Sequence, residues 1–374
     1  MTTLGITGAD GFFGWHLKSR CTTFGQDFVP ANRETFANDD ALDAFVSSVD
    51  VIAHIAGVNR AHDPDEIIAG NVGMAEQLVA AFERTSSNVD VVYANSVKAD
   101  EPGPYGESKA KAGQILADYA EKNGTRFQDI KFPHLFGEFG KPNYNSGVTT
   151  FAHQLVNGEP STVNDGMLEL LHVQDASKAM LAFVNDPEAE SYLRPQGRKI
   201  SVPETYELMT RLADYAKSGT IPEIMDDEFE LRLFNTIRSQ MWPGEYPFAL
   251  TKHVDQRGAF FEVVRAWGQG QTSISTTVPG VIRGEHYHLD KVERFTVISG
   301  QANIRVRRLF TDDVIEFTVS GDEPCFIDMP PLCTHDITNT GESELVTLFW
   351  SHDHFDPANG DTYPLKVVGE GLPA

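Results

Sequence analysis

No apolar run in this chain approaches the roughly 20 residues of a membrane-spanning helix, so a membrane protein is not expected. Positive charge is also scarce: 54 acidic residues stand against 30 lysines and arginines among 374, a formal net charge of -24. Nucleic acid and anionic lipid both repel such a chain, and neither is expected as a partner. The three cysteines, Cys21, Cys325 and Cys333, form no CxxC pair and suggest no disulfide framework. The first apolar run starts almost at Met1, which leaves no room for a signal peptide and points to a cytoplasmic protein. What is present is ordinary globular composition, 41% hydrophobic and 22% charged, in a chain long enough for two separate cores.

Thr3 to Thr7 reads as a short buried strand, followed by Gly8-Ala9-Asp10-Gly11-Phe12-Phe13-Gly14 and a helix. Glycines at this spacing let the backbone turn sharply and approach a pyrophosphate, which then sits on the helix N-terminus. A second strand ends in Asn32-Arg33. Dinucleotide sites place Asp or Glu there for the ribose hydroxyls of NAD, whereas an arginine suits the extra phosphate of NADP. A third strand runs into Ala56-Gly57, and a fourth ends in Asn95-Ser96. Tyr105 and Lys109 follow, four apart on a long amphipathic helix and therefore on one face. A phenol ionises near pH 10. An ammonium beside it favours the phenolate, so a lowered Tyr105 pKa is expected. Ser96 is placed to hydrogen-bond a substrate carbonyl.

Gly8, Gly11 and Gly14, the His54-Ile55-Ala56-Gly57 segment, Asn71-Val72, Ser96 and Tyr105/Lys109 together resemble an extended short-chain dehydrogenase/reductase over about the first 240 residues. The resemblance implies a doubly wound Rossmann sheet, with Tyr105 as proton donor, Lys109 on the nicotinamide ribose and Ser96 orienting the carbonyl. Lys131-Phe132-Pro133-His134-Leu135-Phe136-Gly137 falls where many nucleotide-sugar members carry R-x-x-N-x-x-G, with Lys and His replacing Arg and Asn. His134, and Asn143 and Asn145 in the polar run that follows, are the candidate sugar-nucleotide contacts. A surface turn is the alternative for that run.

Trp242 to Pro247 breaks the helical pattern and marks a boundary. The expected domains are residues 1–243, a NADP-binding reductase, and 247–374, rich in short strands as in a β-barrel or jelly roll. Between Gly280 and Gly300, His286, His288 and Glu293 carry the first motif of a cupin. Alternate strand residues point the same way, so His286 and His288 share one interior. Pro330, His335 and Asn339 carry a looser second motif, with Leu332 where glycine is usual. Three histidines and one carboxylate suit zinc, nickel, iron or manganese on ligand chemistry. His352 and His354 lack matching spacing and are expected at the surface.

The segments around Arg257 and Arg283 resemble the dTDP-4-keto-6-deoxysugar 3,5-epimerases, cupins that usually work without metal. That resemblance implies His286 as base and arginines on the nucleotide or enolate. Phe349 stands where those enzymes carry a tyrosine acid, leaving Tyr287, Tyr363 or water to return the proton. A metal-bound His286 cannot be the base, and Lys291 is then the candidate. Reductase followed by cupin, with the Pro104–Lys109 and Lys141–Ser146 segments, Phe355-Asp356-Pro357 and Asp361-Thr362-Tyr363, is similar to one bifunctional family of capsular-polysaccharide enzymes. Membership implies carbon-3 epimerisation of a UDP-2-acetamido-2,6-dideoxy-4-hexulose (a UDP-4-keto-6-deoxy-N-acetylhexosamine), then NADPH-dependent reduction at carbon 4. It also implies zinc in the cupin and a homodimer. The rival expectation is a reductase whose cupin only stabilises or dimerises the chain.

Overall fold

The strands Leu4–Thr7 and Val51–His54 are buried over their whole length, and their packing is set by the two-residue period of β-structure. The computed structural model describes residues 2–223, 227–256, 258–268, 270–354 and 360–369. Arg257 and the Phe355-Asp356-Pro357 segment lie outside the described residues. The chain forms two compact units. One takes in Met1–Phe136, Tyr144–Ser146 and Met167–Ser201; the other takes in Gly137–Asn143, Gly147–Gly166 and Val202–Ala374.

In the first unit six strands run in the spatial order Phe28–Ala31, Leu4–Thr7, Val51–His54, Asp90–Ser96, Phe127–Phe132 and Tyr192–Leu193. Every pairing between them is parallel. Leu4, Ile6, Val51, Val92 and Ile130 face a core closed by helices Phe12–Phe24 and Val173–Asn185. The alternate residues Ile52, Val91 and Tyr93 face a second core, closed by helices Asp39–Ser47, Pro64–Thr85 and Pro104–Asn123. A sheet buried on both faces explains the unbroken apolar strands. Strand order reverses between Leu4–Thr7 and its neighbours, which opens a crevice at the carboxyl ends.

The helix Pro104–Asn123 starts where its sequence says it should. Pro104 fills the first helical position, Glu107 reaches back to the Gly103 amide at 3.2 Å, and Gly124 ends the helix at φ 68°. None of the helices among the described residues is long and apolar enough to cross a membrane.

The second unit holds two antiparallel five-stranded sheets. One orders Phe248–Ala249, Cys325–Met329, Glu293–Ser299, Leu345–Ser351 and Gln271–Thr277; the other orders Val314–Ser320, Gln301–Arg308, Cys333–Asn339, Ile282–Tyr287 and Tyr363–Pro364. Phe295, Val297, Ile304, Val306, Ile327, Met329 and Ile337 fill the barrel. The expected α/β Rossmann domain followed by an all-β cupin is what the chain forms. Helices Gly147–Asn157, Val202–Lys217 and Glu228–Met241 belong to the barrel's unit.

A buried ion pair shows how those helices are joined to the barrel. The Arg294 guanidinium donates to both Asp328 carboxylate oxygens, at 2.7 and 3.0 Å, and to the Gly219 carbonyl at 2.8 Å. It also lies 3.4 Å from the centre of the Phe326 ring. Arg238, from helix Glu228–Met241, reaches the Met329 carbonyl at 3.2 Å, and Tyr246 donates to Asp328 at 3.4 Å. Burial would raise the Asp328 carboxyl, but the neighbouring Arg294 outweighs it and holds it below the usual value. This carboxylate therefore contributes stability above about pH 4, lost as pH falls through its depressed value. Arg294→Ala would leave the charge buried and unpaired, so we expect a loss of about 3–5 kcal/mol. A denaturant midpoint indistinguishable from that of the unaltered protein would refute it.

Candidate active sites

The crevice of the first unit is built by close backbone approach. Gly8 has φ 68°, and a Cβ there would stand 2.9 Å from the Ala56 backbone. A Cβ at Gly14 would stand 2.2 Å from the Gly8 carbonyl oxygen. Thr7 Oγ1 accepts from the Ile55 and Ala56 amides at 3.0 and 3.1 Å and bonds His54 Nδ1 at 2.8 Å, tying the first and third strands together. The cradle is thus backbone on both walls, opening onto the N-terminus of helix Phe12–Phe24, and it fits a dinucleotide pyrophosphate. Phe12 and Phe13 begin that helix, with Phe13 buried. Arg33 is exposed just beyond the second strand, as the first residue of a short helix that Asn32 caps.

Ser96 ends the fourth strand, near enough to the Tyr105 phenol for its hydroxyl to draw the phenol's pKa down. Gly106 permits this closeness: a Cβ there would stand 2.2 Å from the Lys98 carbonyl oxygen. The lowered Tyr105 pKa expected from Lys109 is not what the structure shows. Burial raises the phenol, and Ser96 only partly offsets it. Lys109 itself donates to the Ala94 carbonyl at 2.7 Å and lies 4.1 Å above the Tyr93 ring. Burial pushes its ammonium down to about 7, so its charge is only partly held.

Asn71, noted in sequence only as part of a pattern, proves to be a hub. Its amide accepts from Val58 N at 2.8 Å and donates to Val58 O and to Ser108 Oγ, both at 2.9 Å. It therefore ties the loop after the third strand to the helix carrying Tyr105.

Beside Ser96 a pocket of about 350 Å³ is lined by Lys98, Glu101, His134, Glu169 and Arg194 among others. Lys98 pairs with Glu101 at 2.7 Å and Arg194 with Glu169 at 3.4 Å. His134 is exposed at its wall. Asn143 and Asn145 are also exposed; the first belongs to the barrel's unit and the second to the sheet's.

In the barrel, His286, His288, Glu293 and His335 each offer a ligand atom within 4.8 Å of the others. A bulge makes this possible: register shifts between Gly284 and His286, with φ 96° at Gly284 and 59° at Glu285. Bulges re-aim the side chain that follows. His286 then lies opposite His335, ring centres 4.7 Å apart. His288 Nε2 is 3.0 Å from Glu293 Oε2, and His335 Nε2 is 3.3 Å from the same oxygen. Burial would raise the Glu293 carboxyl, but the two imidazoles outweigh it and hold it well below the carboxylate range. Burial and the neighbouring imidazoles push His286 down to about 3, so it is neutral.

Two of the outer nitrogens of the cluster have partners. His288 Nδ1 meets the Asp361 carbonyl, and His335 Nδ1 lies 3.2 Å from the Cys333 carbonyl. Such contacts fix the tautomer that leaves Nε2 facing inward. His335 Nε2 is buried without a well-formed hydrogen bond. Three imidazoles and one carboxylate, two of the rings held from behind, fit a divalent ion.

The Asp361 carboxylate accepts from the amides of Leu289, Asp290 and Lys291 at 2.8, 2.9 and 2.9 Å, clamping the loop between the candidate ligands. Sequence reasoning had Asp361 only inside a motif. His352 corrects another expectation. It is buried rather than at the surface, because Val292, the residue before Glu293, donates its amide to His352 Nδ1 at 3.0 Å. His354 is exposed.

The remaining candidates are dispersed. Lys291 is buried, with Nζ 3.5 Å from Thr362 Oγ1. Arg283 is exposed and donates to Thr277 Oγ1 and the Thr276 carbonyl, both at 3.0 Å. Tyr287 packs on Tyr363, ring centres 5.4 Å apart. It ends the strand directly after His286, and alternation turns it from that side chain. Phe349 lies against Phe295, whose ring meets His335 edge-on.

A doubly wound sheet with a glycine cradle and a Ser/Tyr/Lys set defines a nucleotide-dependent dehydrogenase or epimerase class, here continued by a cupin. Residues 4–194 match the NAD dependent epimerase/dehydratase family and residues 253–363 the Polysaccharide biosynthesis C-terminal domain. The chain is 32% identical over 372 residues to UDP-2-acetamido-2,6-beta-L-arabino-hexul-4-ose reductase of Pseudomonas aeruginosa, covering 98% of this chain and 99% of the relative. It is similar to the crystal structure of the capsular polysaccharide assembling protein CapF from Staphylococcus aureus, with TM-score 0.63 and 34% identity. That likeness covers 98% of this chain and 100% of the other. Over 122 residues the chain is 28% identical to the spore coat polysaccharide biosynthesis protein SpsL of Bacillus subtilis, 30% of this chain and 81% of the relative. The chain belongs to the NAD dependent epimerase/dehydratase family, followed here by a Polysaccharide biosynthesis C-terminal domain.

Proposed function

We propose that this chain epimerises carbon 3 of a UDP-2-acetamido-2,6-dideoxy-4-hexulose in the cupin and reduces its carbon-4 ketone with NADPH in the Rossmann unit. The product would be UDP-2-acetamido-2,6-dideoxy-L-talose, for surface polysaccharide. One observation carries the reading: a single chain holds both the Ser96/Tyr105/Lys109 set and a closed cluster of three histidines and a glutamate. The full-length likeness to a 4-hexulose reductase supports the sugar class.

NADPH, when bound on the glycine cradle, supplies the hydride to carbon 4. Tyr105 gives its proton to the carbonyl oxygen that Ser96 holds, and Lys109 orients the nicotinamide ribose. Arg33 answers the 2′-phosphate. His134, Asn143 and Asn145 contact the sugar nucleotide. We expect the unaltered protein to prefer NADPH. Arg33→Asp should weaken NADPH by roughly 10- to 150-fold with little effect on NADH, the worth of one charge-assisted contact. Tyr105→Phe should stop ketone reduction without stopping proton exchange in the cupin. Equal use of both cofactors, or normal NADPH consumption by Tyr105→Phe, would refute these assignments.

His286, His288, Glu293 and His335 would hold a divalent ion, zinc first among candidates, which supplies Lewis-acid polarisation when bound. Arg257 and Arg283 would neutralise the diphosphate or the enolate. With His286 a ligand, Lys291 takes the carbon-3 proton, and Tyr363 or water returns one on the opposite face. The protein should carry about one ion per chain. Affinity should fall as pH drops through the histidine range, since only neutral imidazole binds. Asp361→Asn should weaken the ion about 10- to 100-fold by loosening the ligand loop, read by metal analysis after dialysis. Lys291→Ala should stop incorporation of deuterium from heavy water into the ketosugar. The orientation of Tyr287 away from the histidines, with phenylalanine at Phe349, favours a second reading in which the cupin is only structural. Absence of deuterium uptake by the unaltered protein, in the absence of NADPH, decides for it.

The strand Gln271–Thr277 lies at a sheet edge, and Ile274, Val278 and Ile282 near it are 67%, 58% and 45% exposed. We propose that a second copy of the chain covers this apolar face, giving a homodimer. Sedimentation should give twice the chain mass, and Ile274→Lys should shift it towards one; a monomeric unaltered protein would exclude the dimer.

A further inference from the structure

Behind Ser96 and Tyr105 lies a second row of polar groups with no motif of its own. Asp129 is the register partner of Tyr93 on the adjacent strand, and Asn95 stands two residues further along. Side-chain alternation puts all three on the face covered by helix Pro104–Asn123. Lys109 descends from that helix onto the same group, held by the Ala94 carbonyl and the Tyr93 ring. Gly113 keeps the helix close, since a Cβ there would stand 3.3 Å from the Tyr93 ring and 3.5 Å from the Asn95 amide.

A buried ammonium needs an answering charge. The titratable groups around Lys109 are Tyr93 and Tyr105, both raised by burial, His54 and Asp129. Burial and Lys109 push His54 down to about 3, so it stays neutral. Asp129 alone can supply a negative charge near neutral pH. The nearby Lys131 is already paired with Asp100 at 2.5 Å. Asp129 Oδ1 is buried with no hydrogen-bond donor, while Asn95, on the same face of the adjacent strand, draws the carboxyl's pKa down. Asn95 Oδ1 in turn receives the Ser96 amide at 2.8 Å.

We propose that Asp129 is a positioning residue for ketone reduction, serving as the counter-charge of Lys109 and, through Asn95, as the anchor of Ser96. This rests on the reductase reading. Asp129 counteracts the burial that lowers Lys109. Its own carboxyl is raised by burial and drawn back by Asn95, Lys131 and Lys109. Without that carboxylate, Lys109 would release its proton at lower pH, and reduction would fail earlier as pH rises.

The test is the pH profile of NADPH-dependent reduction of UDP-2-acetamido-2,6-dideoxy-4-hexulose by the full-length protein, Asp129→Asn and Asp129→Glu. For Asp129→Asn the alkaline limb should move down by about one pH unit or more, a roughly tenfold loss of kcat above neutrality. The KM for the sugar should change little, and Asp129→Glu should restore part of the shift. An Asp129→Asn profile that superimposes on that of the unaltered protein overturns the proposal. Should Asp129→Asn not fold, the Asp129→Glu profile decides: a displaced limb supports the proposal and an unmoved one overturns it. If the unaltered protein fails to reduce the ketosugar, the reductase reading falls and takes this inference with it.

Discussion

The two-residue period of the β-strand governs both candidate sites. In the parallel sheet it sends Val92 and Ala94 to one core and Val91 and Tyr93 to the other, so both faces must be covered by helices. The same alternation brings Tyr93, Asn95 and Asp129 together under Lys109, a polar patch on an otherwise apolar face. In the barrel it points His286 and His288 into one interior and turns Tyr287 away from it. The consequence is chemical as well as structural: whatever returns a proton near the histidines, the phenol between them in sequence is not aimed to do so.

Both sites also depend on backbone that departs from regular geometry. The cofactor cradle needs Gly8 at positive φ and no Cβ at Gly14, because the first turn leans against Ala56 and itself. The barrel needs the bulge at Gly284 and Glu285 to carry His286 across from His335. Leu332 is the instructive case. It stands where a glycine is usual, and its φ is 60°, so the turn still demands a left-handed residue. A non-glycine residue there costs about 1–2 kcal/mol. Full burial of the leucine side chain returns about 1.5–3 kcal/mol. The departure from the motif is therefore affordable because the side chain is wholly inside the core.

Legibility in the sequence followed distance along the chain. The glycine turn, the four-residue step from Tyr105 to Lys109 and the His286/His288/Glu293 spacing are local, and each declares its geometry within about ten residues. The two-domain fold class was legible for the same reason. Asp129, Asp361 and His352 were not, because each acts on a partner many residues away: Lys109, the Leu289–Lys291 loop and Val292. Tyr105 failed differently. Spacing placed it beside Lys109, but spacing carries no information on burial, and burial decides its proton affinity. The joining of helix Glu228–Met241 to the barrel was equally hidden, since it rests on Arg238, Arg294 and Asp328 meeting inside.

For the proposed function, acidity dictates the order of events. A proton at carbon 3 is removable only while carbon 4 is a ketone, because the enolate places its charge on that carbonyl oxygen. Reduction converts the carbonyl to an alcohol and ends the acidity, so epimerisation must precede hydride transfer. The two sites then need opposite electrostatics. Enolate formation calls for positive charge beside an oxygen, which an ion held by the histidines, with arginines, would provide. Ketone reduction calls for a proton delivered to the same oxygen, which a raised phenol such as Tyr105 retains until hydride arrives. A pocket that also held the hydride donor would reduce the ketone before the neighbouring carbon could be epimerised. Placing the two chemistries in different units of one chain removes that conflict.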